Sequence, residues 1–149
     1  MILFLDFDGV LHPQFEGGMV PEDVAFCHRY AFEAVMRVFP SVQIVISSTW
    51  PLVFDLDNLR NRFSADIGGR IIGVTPSVES TRAIGINRRE VEISKWLFAN
   101  GMQAEPWLAL DDAPWLFGSH RDRVVVCQSM VGFDAQVAIE LRSRLSTGL

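Results

Sequence analysis

Met1-Ile2-Leu3-Phe4-Leu5-Asp6-Phe7-Asp8-Gly9-Val10-Leu11-His12-Pro13 is the stretch on which the fold turns. Residues 2–5 are wholly apolar, as in a strand buried on both faces of a parallel sheet. Two aspartates follow at once, and Gly9 frees the backbone to turn sharply. The apolar run is too short for a signal-peptide core and lacks a basic leader. No stretch reaches the roughly 18 apolar residues of a membrane span. A cytoplasmic protein with no membrane partner is expected.

Similar apolar runs recur at residues 42–46, 70–74, 107–110 and 123–127, each bounded by Pro, Gly, Ser or Asp. Helical patterns separate them. Pro21-Glu22-Asp23 carries the Pro and acids of a helix start, and Pro40 stops that helix, predicting a span of about 21–39. Further helices are predicted over 52–63, over 87–100 with Gly101 as its cap, and over 133–145. A short helix is expected between the fourth and fifth strands. This alternation predicts an α/β fold, a three-layer α/β/α Rossmann-like domain with a five-stranded parallel sheet, spanning residues 1–149 as one domain.

Composition sets the outer limits. The 149 residues are 49% hydrophobic and 21% charged, enough for one real core. The formal net charge of -5 argues against nonspecific nucleic-acid binding, although one local basic pocket remains compatible with it. Cys27 and Cys127 have no metal-ligand spacing and read as reduced core thiols in a helix and a strand. No repeat or low-complexity tract is present.

In folds of this kind ligands bind beyond the carboxyl ends of the strands. There the chain places Asp6, Asp8 and Gly9 after the first strand, Ser47-Ser48-Thr49 after the second, and Asp111-Asp112 after the fourth. Each site alone reads as a cap or turn former. Together they bring four carboxylates and a hydroxyl to one edge. That cluster would repel itself unless a divalent cation joins it, and hard oxygen ligands select Mg2+.

With these residues in view, Asp6-Phe7-Asp8-Gly9-Val10 resembles the first motif of the haloacid dehalogenase (HAD) superfamily. Ser47 in Val-Ile-Ser-Ser matches its second motif and Ala-Leu-Asp-Asp-Ala-Pro its fourth. The third motif needs a Lys or Arg at the start of the helix before the fourth strand. Arg88, Arg89 and Lys95 compete for that place. Arg89 is preferred because it lies one turn before the apolar Ile93, while Lys95 sits deeper in the helix. A closer resemblance is to the small domain of this superfamily found alone or attached to RNA-repair proteins, carried by Asp-Gly-Val-Leu-His-Pro, Ser-Ser-Thr-Trp and Arg-Glu-Val-Glu-Ile-Ser-Lys-Trp-Leu. Pro51 departs from it, since such relatives often carry a basic residue there.

The resemblance implies a Mg2+-dependent phosphatase acting on a phosphate monoester through an aspartyl-phosphate. Asp6 would be the nucleophile and Asp8 the general acid and then base. Ser47 would bond a transferring oxygen and Arg89 would stabilise the charge on the phosphorylated aspartate. Mg2+ would be held by Asp6, the Asp8 carbonyl, and the Asp111-Asp112 pair, with Asp112 the expected direct ligand. Dehalogenases of the family lack the second aspartate, so Asp8 favours phosphoryl transfer. Gly9, Ser48, His12 and Trp50 are candidate substrate contacts. His28 and His120 read as bland.

The segments 9–21 and 75–86 leave room for a flap and a loop, with Gly85 as a hinge candidate, and no cap domain. An open site would admit a phosphate on a large substrate such as a nucleic-acid end or a phosphoprotein. A phosphotransferase, or a non-catalytic phosphate-binding or interaction module on the same fold, is the alternative. A two-component receiver domain would need its aspartate after the third strand, where Thr75-Pro76 stands.

Overall fold

The computed structural model describes residues 1–17, 19–78 and 87–148. Five strands, β1 (Ile2–Leu5), β2 (Gln43–Ile46), β3 (Ile71–Val74), β4 (Trp107–Asp111) and β5 (Val124–Val126), form one parallel sheet in the order β3-β2-β1-β4-β5. Every neighbouring pair is parallel, with Ile2 opposite both Gln43 and Trp107. The helices are α1 (Arg29–Val38), α2 (Leu56–Arg60), α3 (Ala65–Gly68), α4 (Arg88–Ala99) and α5 (Ala135–Thr147), with 3-10 turns at Trp50–Leu52, Pro114–Leu116 and Arg121–Arg123.

Alternation along β1 divides the core in two. Leu3 and Leu5 join Phe32 and Met36 of α1, Leu59 of α2 and Leu141 of α5 on one face. Ile2 and Phe4 join Ile93, Trp96 and Leu97 of α4 on the other. Right-handed crossovers explain the division. The chain moves from β1 outward to β3 with its helices on one face, then reverses to β4, which sends α4 to the opposite face. Phe4 is fully buried and meets Trp96 and Trp107 edge-on, with ring centroids at 5.8 and 5.7 Å. Truncating it to Ala would cost about 3–5 kcal/mol.

Two predicted helices come out differently. The helix expected over 21–39 begins only at Arg29. Phe26 adopts φ 61°, and its N–H goes to His12 Nδ1 (3.2 Å) while the His28 N–H goes to the Leu11 carbonyl (2.9 Å). The backbone donors a helix would use are thus taken by the turn after β1. Cys27 is consequently exposed rather than in the core, whereas Cys127 is buried, and both are free thiols. The helix expected over 52–63 breaks into the turn at Trp50–Leu52, then α2 and α3. Pro51 starts the turn, and Asp55 caps α2 by accepting from the Asn58 N–H at 2.8 Å. Among the described residues no helix is long and apolar enough to cross a membrane. The suggested hinge at Gly85 lies outside the described residues.

Candidate active site

The strand order reverses between β1 and β4, so the crevice at that switch point is where such a fold places a ligand. Backbone bonds carry the ladders one step past the strands. Asp6 donates its N–H to Leu110 (3.0 Å), Ser47 to Leu5 (2.8 Å), Thr75 to Ile46 (2.9 Å) and Cys127 to Asp111 (3.0 Å). Asp6, Ser47, Thr75 and Asp111 are thereby fixed along one edge by main-chain geometry alone.

Arg89 ties that edge together. Its Nε donates to Asp111 Oδ2 at 3.0 Å, Nη2 to Asp6 Oδ2 at 3.3 Å, and Nη1 to Glu92 Oε2 at 3.3 Å. All three nitrogens are engaged, and the side chain is 6% exposed. The buried residues of α4 are Arg89, Glu92, Ile93, Trp96 and Leu97, so Arg89 sits at the end of the helix's apolar stripe. Arg88 is half-buried at the rim of the cleft, with Nε 3.9 Å from Glu92. Lys95 is exposed on α4 and lines a separate surface hollow. Of the three competing cations, Arg89 alone bonds Asp6.

Asp6, Asp111 and Asp112 are buried and can each offer an oxygen within 4.8 Å of the others. Burial pushes the Asp6 and Asp111 carboxyls up, and the neighbouring acids add to the rise, while Arg89 only partly opposes it. Asp112 is also raised, first by burial, against a hydrogen bond from Ser129. In Arg89, burial opposes the charge, but Asp6, Asp111 and Glu92 outweigh it and hold the guanidinium charged. The donor set is all carboxylate oxygen, which is what a hard divalent cation such as Mg2+ takes. Asp111 already spends Oδ2 on Arg89 and Oδ1 on the Ala113 N–H (2.8 Å). Asp112 packs against Gly9, where an added Cβ would stand 2.1 Å from its Oδ2, and Gly9 has φ +70°. Glycine is therefore demanded at this position twice over.

Asp8 is placed apart from that cluster. It is half-buried, and its Oδ1 meets His12 Nε2 at 2.9 Å. Trp50 Nε1 donates to both Oδ1 and Oδ2, at 3.2 and 3.1 Å. His12 is fully buried, and its Nδ1 accepts from the Phe26 N–H, so the ring proton sits on Nε2 and points at Asp8. Burial pushes the Asp8 carboxyl up, but the His12 and Trp50 hydrogen bonds outweigh it and hold it below the usual carboxylate value. His12 therefore reaches the site through Asp8 and has no open face of its own for a substrate.

The Ser47 and Ser48 hydroxyl oxygens are buried and have no hydrogen-bond partner among the described residues. Buried hydroxyls are nearly always satisfied, so these two are open to an incoming acceptor or donor. The cleft over the carboxylates has a volume of 360 Å³ and is lined by Asp6, Asp8, Asp112, Arg88 and Arg89, with Gln14 and Trp115 at its border. Glu92 was not singled out in the sequence, yet it buttresses Arg89 and accepts from the Val78 N–H at 3.3 Å. Its position three residues after Arg89, on one helix face, was the available signal. Gln14 and Trp115 carried none.

A family model described as the HAD domain in Swiss Army Knife RNA repair proteins matches residues 2–138. The chain belongs to this family. No curated protein and no solved structure matches it. As a HAD domain, the chain carries the fold of a phosphatase-type superfamily, with a buried acidic cluster at its switch point.

Proposed function

We propose that this HAD domain hydrolyses a phosphate monoester, with Mg2+ as cofactor and Asp6 as nucleophile. The observation that carries the reading is the pairing of Asp6, bonded to Arg89 in a buried acidic cluster, with Asp8, held separately by His12 and Trp50. An Asp6 oxygen attacks phosphorus, the bond to the ester oxygen breaks, and that oxygen takes a proton from Asp8. Among the described residues Asp8 Oδ2 bears a single hydrogen bond, from Trp50, which leaves room for the proton. Asp8 then takes a proton from water, whose oxygen attacks the aspartyl-phosphate, regenerating Asp6 and releasing phosphate. Arg89 holds the aspartate in place and offsets its charge, and the Ser47 hydroxyl bonds a phosphoryl oxygen. Mg2+, held by Asp6, Asp112 and the Asp8 carbonyl with Asp111 in support, would neutralise the carboxylates and orient the phosphoryl group.

The family's association with RNA repair favours a phosphorylated nucleic-acid end as the substrate. Phosphate release from an aryl phosphate, with Mg2+, with EDTA, and in an Asp6→Asn variant, tests the reading. Mg2+-dependent release lost in both controls is expected. Release that persists without metal or without Asp6 would contradict it, and failure of the wild type to bind beryllofluoride with Mg2+ would favour a non-catalytic module.

A further inference from the structure

Asp8 and Thr49 form a shared wall between two hollows. On one side lies the phosphoryl cleft. On the other lies a pocket of 340 Å³ walled by Met19, Val20, Trp50, Val53 and Phe54. Among the described residues its lining is apolar except for the shared wall. Trp50 and Phe54 are stacked at 5.4 Å and 28°, and the Arg62 guanidinium lies 5.3 Å from one ring centre and 4.8 Å from the other. That packing holds the rings in place before any ligand arrives. Met19 and Val53 are 85% and 78% exposed, an apolar rim the core does not require.

The proposed phosphatase reading, on which this inference rests, fixes where a leaving group must go. Its oxygen must lie beside Asp8 to be protonated, so the group it carries emerges on the Asp8 side of the cleft. We infer that the pocket at Met19, Trp50, Val53 and Phe54 receives the nucleobase of a phosphorylated ribose. A flat, uncharged ring is the occupant that matches an aromatic and aliphatic wall with a carboxylate at its entrance. An anionic group inside the pocket itself would instead be repelled by Asp8. A phosphoserine side chain would leave most of the 340 Å³ unfilled.

The test compares nucleoside monophosphates, oligonucleotides ending in a phosphate, and glycerol phosphate, using the Mg2+-loaded full chain. The wild type should favour the base-bearing substrates by roughly ten-fold in kcat/KM, mostly through KM. A Met19→Ser/Val53→Ser double variant, altered only at exposed positions, should lose most of that preference and leave glycerol phosphate turnover unchanged. Phe54→Leu should also lower that preference if the ring matters as a ring. Binding of a nucleoside monophosphate, read by tryptophan fluorescence, should weaken in parallel. Preference for the mononucleotide or for the strand end supports the same subsite and tells which source supplies the base. Equal turnover of all three substrates, or a preference kept by the double variant and lost in Trp115→Ala, would overturn the inference. Absent turnover with intact, variant-sensitive nucleotide binding would sink the phosphatase reading and keep the subsite.

Discussion

Asp6 and Asp8 stand two residues apart on one turn, yet their surroundings drive them in opposite directions. Asp6 is sealed among acids, so burial raises its carboxyl despite Arg89. Asp8 faces two N–H donors, which hold its carboxyl low despite partial burial. These shifts favour the proton on Asp6 and disfavour it on Asp8, the opposite of the order that the proposed roles require. In the proposed chemistry a cation held by Asp6 and Asp112, with Asp111 in support, would stabilise the ionised form of Asp6. The lesson is that two aspartates so close in sequence are made different by their partners.

The largest effect expected is from Asp6→Asn, which should lower kcat for an aryl phosphate by at least about 10⁴-fold while the chain stays folded. Arg89→Met comes next. It leaves Asp6, Asp111 and Glu92 facing one another, and should lower stability by about 3–5 kcal/mol in denaturant titrations. Added Mg2+ should recover part of that loss. His12→Ala tests the other side. It should slow hydrolysis of an alkyl phosphate by about 10²-fold and leave an ester with a good leaving group nearly unaffected, because only the first needs a well-placed proton. Equal losses on both esters would reduce His12 to a packing residue.

The smallest effect is far from the chemistry. Glu90 accepts from the Gly118 and His120 N–H groups, from Ser119 Oγ and from the His120 ring. Burial would raise its carboxyl, but these bonds lower it from the usual 4.5 to about 2. A depressed carboxyl adds stability above its unfolded value and loses it as pH falls toward the folded one. The window is therefore about pH 4.5 down to 2. Glu90→Gln should cost about 1 kcal/mol at neutral pH and make little difference at pH 2, measured by thermal unfolding across that range.

The sheet was legible in the sequence because strands buried on both faces leave unbroken apolar runs, and Asp6, Ser47 and Asp111 followed from where those runs end. Arg89 could be preferred over Arg88 and Lys95 because the helix period puts it in line with Ile93. The region 21–28 was not legible, since Pro21 and its following acids do start a local turn, while Phe26 and His28 spend their N–H groups on the distant residues His12 and Leu11. The same contact hid the place of His12. Its burial depends on Phe26 and Trp50, whose rings lie 5.6 and 5.8 Å away and far along the chain, and no local pattern announces that. The break at 52–63 follows Pro51 and Asp55, which were readable as punctuation but outweighed by the apolar spacing around them.

The most direct test of the account is chemical trapping of the intermediate. The Mg2+-loaded chain would be quenched during turnover, reduced with borohydride and mapped by peptide mass. An acyl phosphate at Asp6 should appear as homoserine at position 6, and at none of Asp8, Asp111 or Asp112. Steady turnover with no modified aspartate, or with the label at another position, would contradict the claim that Asp6 is the nucleophile.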